Sequence, residues 1–400
     1  MIELLPLLSI PLSSALVGWG TNVLALKMTF YPVEFVGLKP PYLGWQGIIP
    51  AKAVSMAERT VDLITTRLVG LEEVIGRLDP DAIADLLAVQ FQEVLRDIID
   101  DVMKAERPEL WRLLPDSVKD QVYDRAITEA PEVIRQSVID LKIEVEDVLD
   151  LKAMAVGALL EDRAFLNQIF LECGKHEFKF IERSGFYFGF MFGLIVMVLW
   201  LVFQSPFIMP VVGFLIGWLT NFLALKMIFE PQQPKKILKW TWQGSFLKRQ
   251  VEVSEAYSRL IARNIVSTQN ILRTLFEGPG ADRLIKIIER HVNDAAANYD
   301  AVPRSMTHMV IGEENYLAIK RKIVDGILAR VPGGPIHTIE DYADKALDIE
   351  NTLRERLELL PPDQFSGLLR PIFQEDEWKL LLVGALLGLA VGIGQAFFLL

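Results

Sequence analysis

Apolar residues are gathered into three uncharged stretches rather than spread along the chain. Leu4 to Leu26 lies between Glu3 and Lys27, Ser184 to Leu225 lies between Arg183 and Lys226, and Leu380 to Leu400 follows Lys379. Gln204-Ser205-Pro206, a turn signal, divides the middle stretch in two. A bilayer core takes about 20 apolar residues per helix. The pattern therefore predicts four transmembrane helices, near residues 4–26, 186–203, 207–229 and 380–400. The first is read as an uncleaved span rather than a signal peptide, because no Lys or Arg precedes Lys27. Elsewhere apolar residues recur at steps of three and four, as in Ala82-Ile83-Ala84-Asp85-Leu86-Leu87 and Leu284-Ile285-Lys286-Ile287-Ile288. That is the period of amphipathic helices. Strand-like alternation is scarce, and the predicted fold class is all-α.

The pattern also repeats. Gly18-Trp19-Gly20-Thr21-Asn22-Val23-Leu24-Ala25-Leu26-Lys27-Met28-Thr29-Phe30-Tyr31-Pro32 matches the run from Gly217 to Pro231 at 11 of 15 positions, an offset of 199. Trp45-Gln46-Gly47 returns as Trp242-Gln243-Gly244, at an offset of 197. Gly185, Gly189 and Gly193 return as Gly384, Gly388 and Gly392, again at 199. The chain reads as a tandem duplication, 1–203 and 204–400. Each half holds a span, a helical cytoplasmic domain (33–182 and 232–378) and a second span. Two crossings per half make the repeats parallel, related by a pseudo-two-fold axis along the membrane normal.

Charge sharpens this picture. The net charge is −11, with 51% hydrophobic and 23% charged residues. All of the −11 lies in residues 1–200, which hold 19 Lys and Arg against 30 Asp and Glu. That acidity argues against a general nucleic-acid binder, which needs a basic face for phosphates. Lys27, Lys39, Lys175, Lys179, Arg183, Lys226, Lys235, Lys236, Lys239, Arg370 and Lys379 border the two long loops, whereas the 204–206 turn and the C-terminus carry no basic residue. The positive-inside rule then places both long loops in the cytoplasm and both termini outside. One cysteine, Cys173, excludes an internal disulfide and a cysteine-built metal cage.

The repeated motif carries the candidate chemistry. Small residues every fourth position, Ser14, Gly18 and Asn22 against Gly213, Gly217 and Asn221, let helix backbones approach closely, with Asn or Thr bonding across. In that reading Gly18, Gly217, Gly185, Gly189, Gly193, Gly384, Gly388 and Gly392 are packing residues. In the other, Thr21, Asn22, Thr220 and Asn221 line a polar point inside the bilayer and mark a pathway. Lys27 and Lys226 either snorkel to the headgroups or pair as a cationic site for phosphate or carboxylate. Lys52, Lys248 and Arg249 follow the tryptophan motif, and Lys235, Lys236 and Lys239 add a basic cluster suited to anionic lipid. Trp45 and Trp242 belong at the membrane–water interface, and Pro32 and Pro231 end or kink the first and third helices.

The motif Gly-Trp-x-Thr-Asn-x-x-Ala-x-Lys-Met-x-Phe-x-Pro, followed by Gly47-Ile48-Ile49-Pro50-Ala51-Lys52, resembles a bacterial membrane-protein family catalogued as domain of unknown function 445. The resemblance implies a prokaryotic cell-membrane protein and supplies no activity. The second half has Leu247 where the first has Pro50, so the turn that Pro50 fixes need not recur there.

Enzyme signals are weak. His176, His291, His308 and His337 are scattered without metal-ligand spacing, and no nucleophile elbow, phosphate loop or dinucleotide fingerprint is present. Cys173 and His176 read as incidental neighbours, and Asp100-Asp101 as a solvated helix face. No catalytic residue, metal or cofactor is expected. The favoured function is binding or transport of lipid or an anionic amphiphile between the repeats. The alternative is a membrane scaffold whose cytoplasmic domains bind a protein partner. A channel is weaker, since four spans leave little room for a pore unless the chain forms a homo-oligomer.

Overall fold

The structure, a computed structural model, describes residues 4–39, 43–203, 205, 207–237, 240–297, 322–323, 326, 335–368, 370 and 377–399. Lys239 and His308 lie outside these residues. The chain is predominantly helical. Four helices are long and apolar enough to cross a membrane: Leu4–Phe30, Lys175–Phe203, Ile208–Phe229 and Glu377–Leu399, here the first to fourth spans. The second begins eleven residues before the predicted 186, and the first runs four residues past 26. Charged residues end an apolar pattern without ending a backbone hydrogen-bond ladder, so sequence hydropathy under-reads helix length.

The all-α expectation needs one correction. Two antiparallel hairpins are present, β1 (Val36–Lys39) with β2 (Leu43–Trp45), and β3 (Lys235–Ile237) with β4 (Trp240–Trp242). Strands of three or four residues are too short to show alternation. Val36 pairs with Trp45, and Lys235 pairs with Trp242. The fall in offset from 199 to 197 lies inside these hairpins. The first has an extra bulge residue, Leu38, where pairing shifts between Gly37 and Lys39, and three residues rather than two join its strands.

The described chain forms two compact units, and each draws on both sequence halves. One comprises Met1–Leu63, Val156–Leu260 and Leu353–Leu400, and the other comprises Ile64–Ala155 and Ile261–Thr352. In the first unit the spans form a four-helix bundle. The first span packs along the second and the third along the fourth, and the two pairs also touch. Ile10, Val196, Met209 and Ala396, one from each span, form a shared apolar core, and the Gln395 amide donates to the Ser13 hydroxyl at 2.5 Å. Within each pair, glycines allow backbone contact. A Cβ placed on Gly185 or Gly189 of the second span would overlap the carbonyl oxygen of Gly18 or Ser14. One on Gly388 or Gly392 of the fourth span would overlap that of Gly213 or Met209. On Gly193 it would fall 2.6 Å from the Pro11 Cα.

The second unit is built around two long helices, Pro80–Glu106 and Asp116–Ile143, lying along one another. Asp79 starts the first by accepting from the Asp81 N–H at 3.0 Å, with Pro80 in the first turn, where a missing N–H costs nothing. Residues from the second sequence half close this unit. His291 Nε2 meets Asp140 at 2.8 Å, Arg283 pairs with Asp147 at 2.5 Å, and Arg77 donates to the Leu347 carbonyl at 2.7 Å. Asp100, expected on a solvated face, instead accepts from Trp111 Nε1 at 3.0 Å, from the Tyr123 hydroxyl, and from Lys104 at 2.6 Å. Burial pushes the Asp100 carboxyl up, but these donors outweigh it and hold it below its ordinary value. Burial, then the bond to Asp100, pushes the Tyr123 phenol up to about 12.

Candidate functional site

The two copies of the repeated motif occupy the bundle ends that lead into the hairpins. Asn22 follows Gly18 by one helical turn on the face turned to the second span. Its amide donates to the Ile181 carbonyl at 2.6 Å. Asn221 does the same for the fourth span, donating to the Leu380 carbonyl at 2.9 Å. The glycines opposite make the bonds possible, since a Cβ on Gly185 would sit 2.7 Å from the Asn22 amide nitrogen and one on Gly384 would press on that of Asn221. Asn22 is fully buried, and its Oδ1 has no hydrogen-bond partner among the described residues. Thr21 and Thr220 turn back to their own helix and donate to the carbonyls of Gly18 at 3.0 Å and Gly217 at 3.3 Å. The motif asparagines and threonines therefore bond within their own halves.

An interhelical bond in a bilayer is worth about 0.6–2 kcal/mol, because the separated helices also find partners. Asn22→Ala and Asn221→Ala are each expected to lower unfolding stability in micelles by that order. Unchanged stability of both variants would mean that the amides do not hold the helix pairs together.

Lys27 and Lys226 lie about 7.5 Å further along their helices, and both are exposed. Lys226 reaches Glu230 at 3.9 Å and lies 5.6 Å from the Phe222 ring, and Tyr31 stands in the first half where Glu230 stands in the second. Pro32 and Pro231 lie two residues past the helix ends at Phe30 and Phe229. Their carbonyls accept from Gly47 N at 2.9 Å and Gly244 N at 3.1 Å. These bonds tie each hairpin back to its span. A four-residue helix follows in both halves, Ile48–Ala51 and Ser245–Lys248. The turn at Pro50 therefore does recur with Leu247. Both residues sit in a first helical turn, whose N–H groups have no intrahelical partner, so proline is permitted there and not required.

Lys52 and Arg249 are equivalent, each closing its short helix, while Lys248 is exposed. Arg249 donates to Glu177 at 2.9 Å and to Glu252 at 2.6 Å, and Glu177 is only 3% exposed. This ion pair joins the base of the second span to the start of the second loop. Glu177 was legible in retrospect, because Glu177, Ile181, Gly185, Gly189 and Gly193 form one ladder of fourth positions. Near it are buried groups that the sequence reading did not select. Asn167 donates to the Phe30 carbonyl at 2.6 Å, and the Ser254 and Tyr257 hydroxyls, one turn apart, are buried without hydrogen-bond partners among the described residues. Cys173 is buried while His176 is exposed. Burial pushes the Cys173 thiol up to about 12, so it stays protonated and unreactive at neutral pH. Among the described residues, no group of three or more His, Cys, Asp or Glu side chains could hold a metal ion.

A family model described as "Exopolysaccharide synthesis, ExoD" matches residues 189–288. The matched stretch is a quarter of the chain. It takes in most of the second span, the third span with its copy of the motif, the β3–β4 hairpin and the helices beyond. This finding overturns the resemblance to domain of unknown function 445. No curated protein and no solved structure matches the chain.

Proposed function

We propose that this chain is a bacterial inner-membrane component of exopolysaccharide production that acts as a scaffold rather than a conduit or an enzyme. Two parallel tandem copies of span, cytoplasmic domain and span form its membrane core, with both long loops cytoplasmic and both termini outside. The observation that carries this reading is that the motif asparagines bond within their own halves, although the halves pack together elsewhere. The Asn22 and Asn221 amides, the polar groups best suited to mark a pathway, are spent on the carbonyls of Ile181 and Leu380. The words of the family description support the exopolysaccharide setting.

The partner-binding surface of the scaffold is the corner between helix Pro108–Leu113 and helix Asp116–Ile143. Trp111 is buried and Tyr123 meets it edge to face at 6.1 Å, which fixes the corner from within. Outside, Leu113 is 76% exposed, with exposed Glu109, Asp116 and Asp120 close to it in sequence, the first paired with Arg112 at 3.8 Å and the second with Lys119 at 3.5 Å. An exposed apolar residue among paired and unequal charges suits a polar protein surface. Glu109→Gln/Asp116→Asn/Asp120→Asn is expected to lower polymer output several-fold in producing cells without changing the amount of chain in the membrane. Undiminished output would sink the scaffold reading.

A second reading, lipid or anionic-amphiphile handling, draws on the exposed Lys27 and Lys226 at the span ends. It requires that full-length chain in liposomes accelerate transbilayer movement of fluorescent phosphatidylglycerol, and that Lys27→Gln/Lys226→Gln slow it. The scaffold reading expects the protein-free rate.

A further inference from the structure

Each hairpin starts six residues after the last residue of a membrane-capable helix and is held to it by the proline-carbonyl bond described above. Neither can swing far from the level at which its span leaves the bilayer. The two copies nevertheless present different chemistry at that level. In the first, Val36, Leu38 and Leu43 are exposed, with Leu38, the bulge residue, 92% exposed, and a single exposed cation, Lys39, ends the described strand β1. In the second, exposed Lys235 stands directly opposite exposed Trp242, so ammonium and indole share one face, and Lys236 is exposed on the other face of the strand. Exposed aliphatic side chains on a short hairpin are unfavourable in water and favourable a few ångströms into a bilayer. Indole with lysine is the pairing favoured at the headgroup level.

We propose that the two hairpins are membrane-surface anchors of different kinds. The β1–β2 hairpin inserts Val36, Leu38 and Leu43 below the headgroups of any bilayer. The β3–β4 hairpin seats Trp242 at the interface and captures anionic headgroups with Lys235 and Lys236. The duplicated unit thereby has one lipid-indifferent and one charge-selective foot. Continuity with the spans and charge complementarity to anionic lipid select a bilayer surface as the occupant. The inference is independent of the scaffold reading, because it needs only that the four helices cross a membrane.

The test uses the full chain, spin-labelled at Leu38→Cys, at Gln233→Cys beside the second hairpin, and at Val89→Cys as a water-exposed control. Cys173, buried and protonated, stays unlabelled. Each labelled chain is reconstituted into vesicles of phosphatidylcholine alone and of phosphatidylcholine with an equal part of phosphatidylglycerol. Collision with oxygen is then compared with collision with a neutral water-soluble nickel chelate. The Leu38 label is expected to favour oxygen in both vesicles. The Gln233 label should become shielded from the chelate only when phosphatidylglycerol is present, and Lys235→Gln/Lys236→Gln should remove that shielding while leaving Leu38 immersed. If Leu38→Cys does not fold, Leu43→Cys reads the same hairpin. Labels as open to the chelate as Val89 in both vesicles would overturn the proposal, as would a protein-occupied surface that excludes lipid. Gln233 shielding that ignores phosphatidylglycerol would overturn the charge-selective half.

Discussion

Gly18→Ala is expected to destabilise the chain by about 1–3 kcal/mol, whereas Gly20→Ala, two residues away in the same helix, is expected to be neutral or to stabilise by up to about 1 kcal/mol. Alanine ordinarily improves a helix because it restricts the unfolded chain and costs no side-chain entropy. At Gly20 nothing lies within 4 Å of the added methyl, so that ordinary gain is available. At Gly18 the methyl would overlap the Gly185 carbonyl oxygen and lie 3.1 Å from its carbonyl carbon and 3.4 Å from the Gly189 Cα. These are backbone atoms of another helix, so no rotamer change relieves the contact and the spans must separate. Separation would also lengthen the Asn22 bond to Ile181. The fourth span offers the same contrast between Gly392, against the Met209 backbone, and Gly394, which faces open space. Thermal unfolding in micelles, followed by circular dichroism, gives both signs. Equal responses at Gly18 and Gly20 would mean that the close approach is absent.

Arg249→Met should lower stability by about 3–5 kcal/mol, the cost of leaving a buried carboxylate without its cation. Glu177 is nearly inaccessible to water, and Arg249 is the side chain that neutralises it. Arg249 keeps Glu252 as a second, exposed partner, so Glu177→Gln should cost less than loss of the arginine. The double variant Glu177→Leu/Arg249→Met should recover most of the loss, because two apolar side chains of similar size need no desolvation of charge. Denaturant titration of the three variants in one micelle system decides the point. A double variant no better than Arg249→Met would show that the pair contributes through packing and not through compensated charge.

Several elements were legible in the sequence for identifiable reasons. The spans were readable because a membrane-capable helix advertises itself as an uncharged run, and the ladder Gly185, Gly189 and Gly193 because small residues recur at every fourth position. The hairpins were not. Their strands are too short for a period, and their only sequence trace was an unexplained drop of two in the repeat offset, now located at Leu38 and the joining residues. Arg249 was selected for its charge, but its partner Glu177 is 72 residues away in the chain, and no local pattern links them. Asn22 and Asn221 were selected as polar residues inside a span. The choice between lining a pathway and bridging helices depended on which atom their amides reach.

The sequence by itself determined where the chain is apolar, that the two halves share a motif and a glycine ladder, and that the excess acid lies in the first half, because these are properties of composition and local periodicity. Only the tertiary structure decided that the motif amides bond to the carbonyls of Ile181 and Leu380, that Arg249 neutralises Glu177, and that each compact unit draws on both halves. Those outcomes depend on distances between residues far apart in the chain, and hydrogen bonds and buried charge act only over a few ångströms.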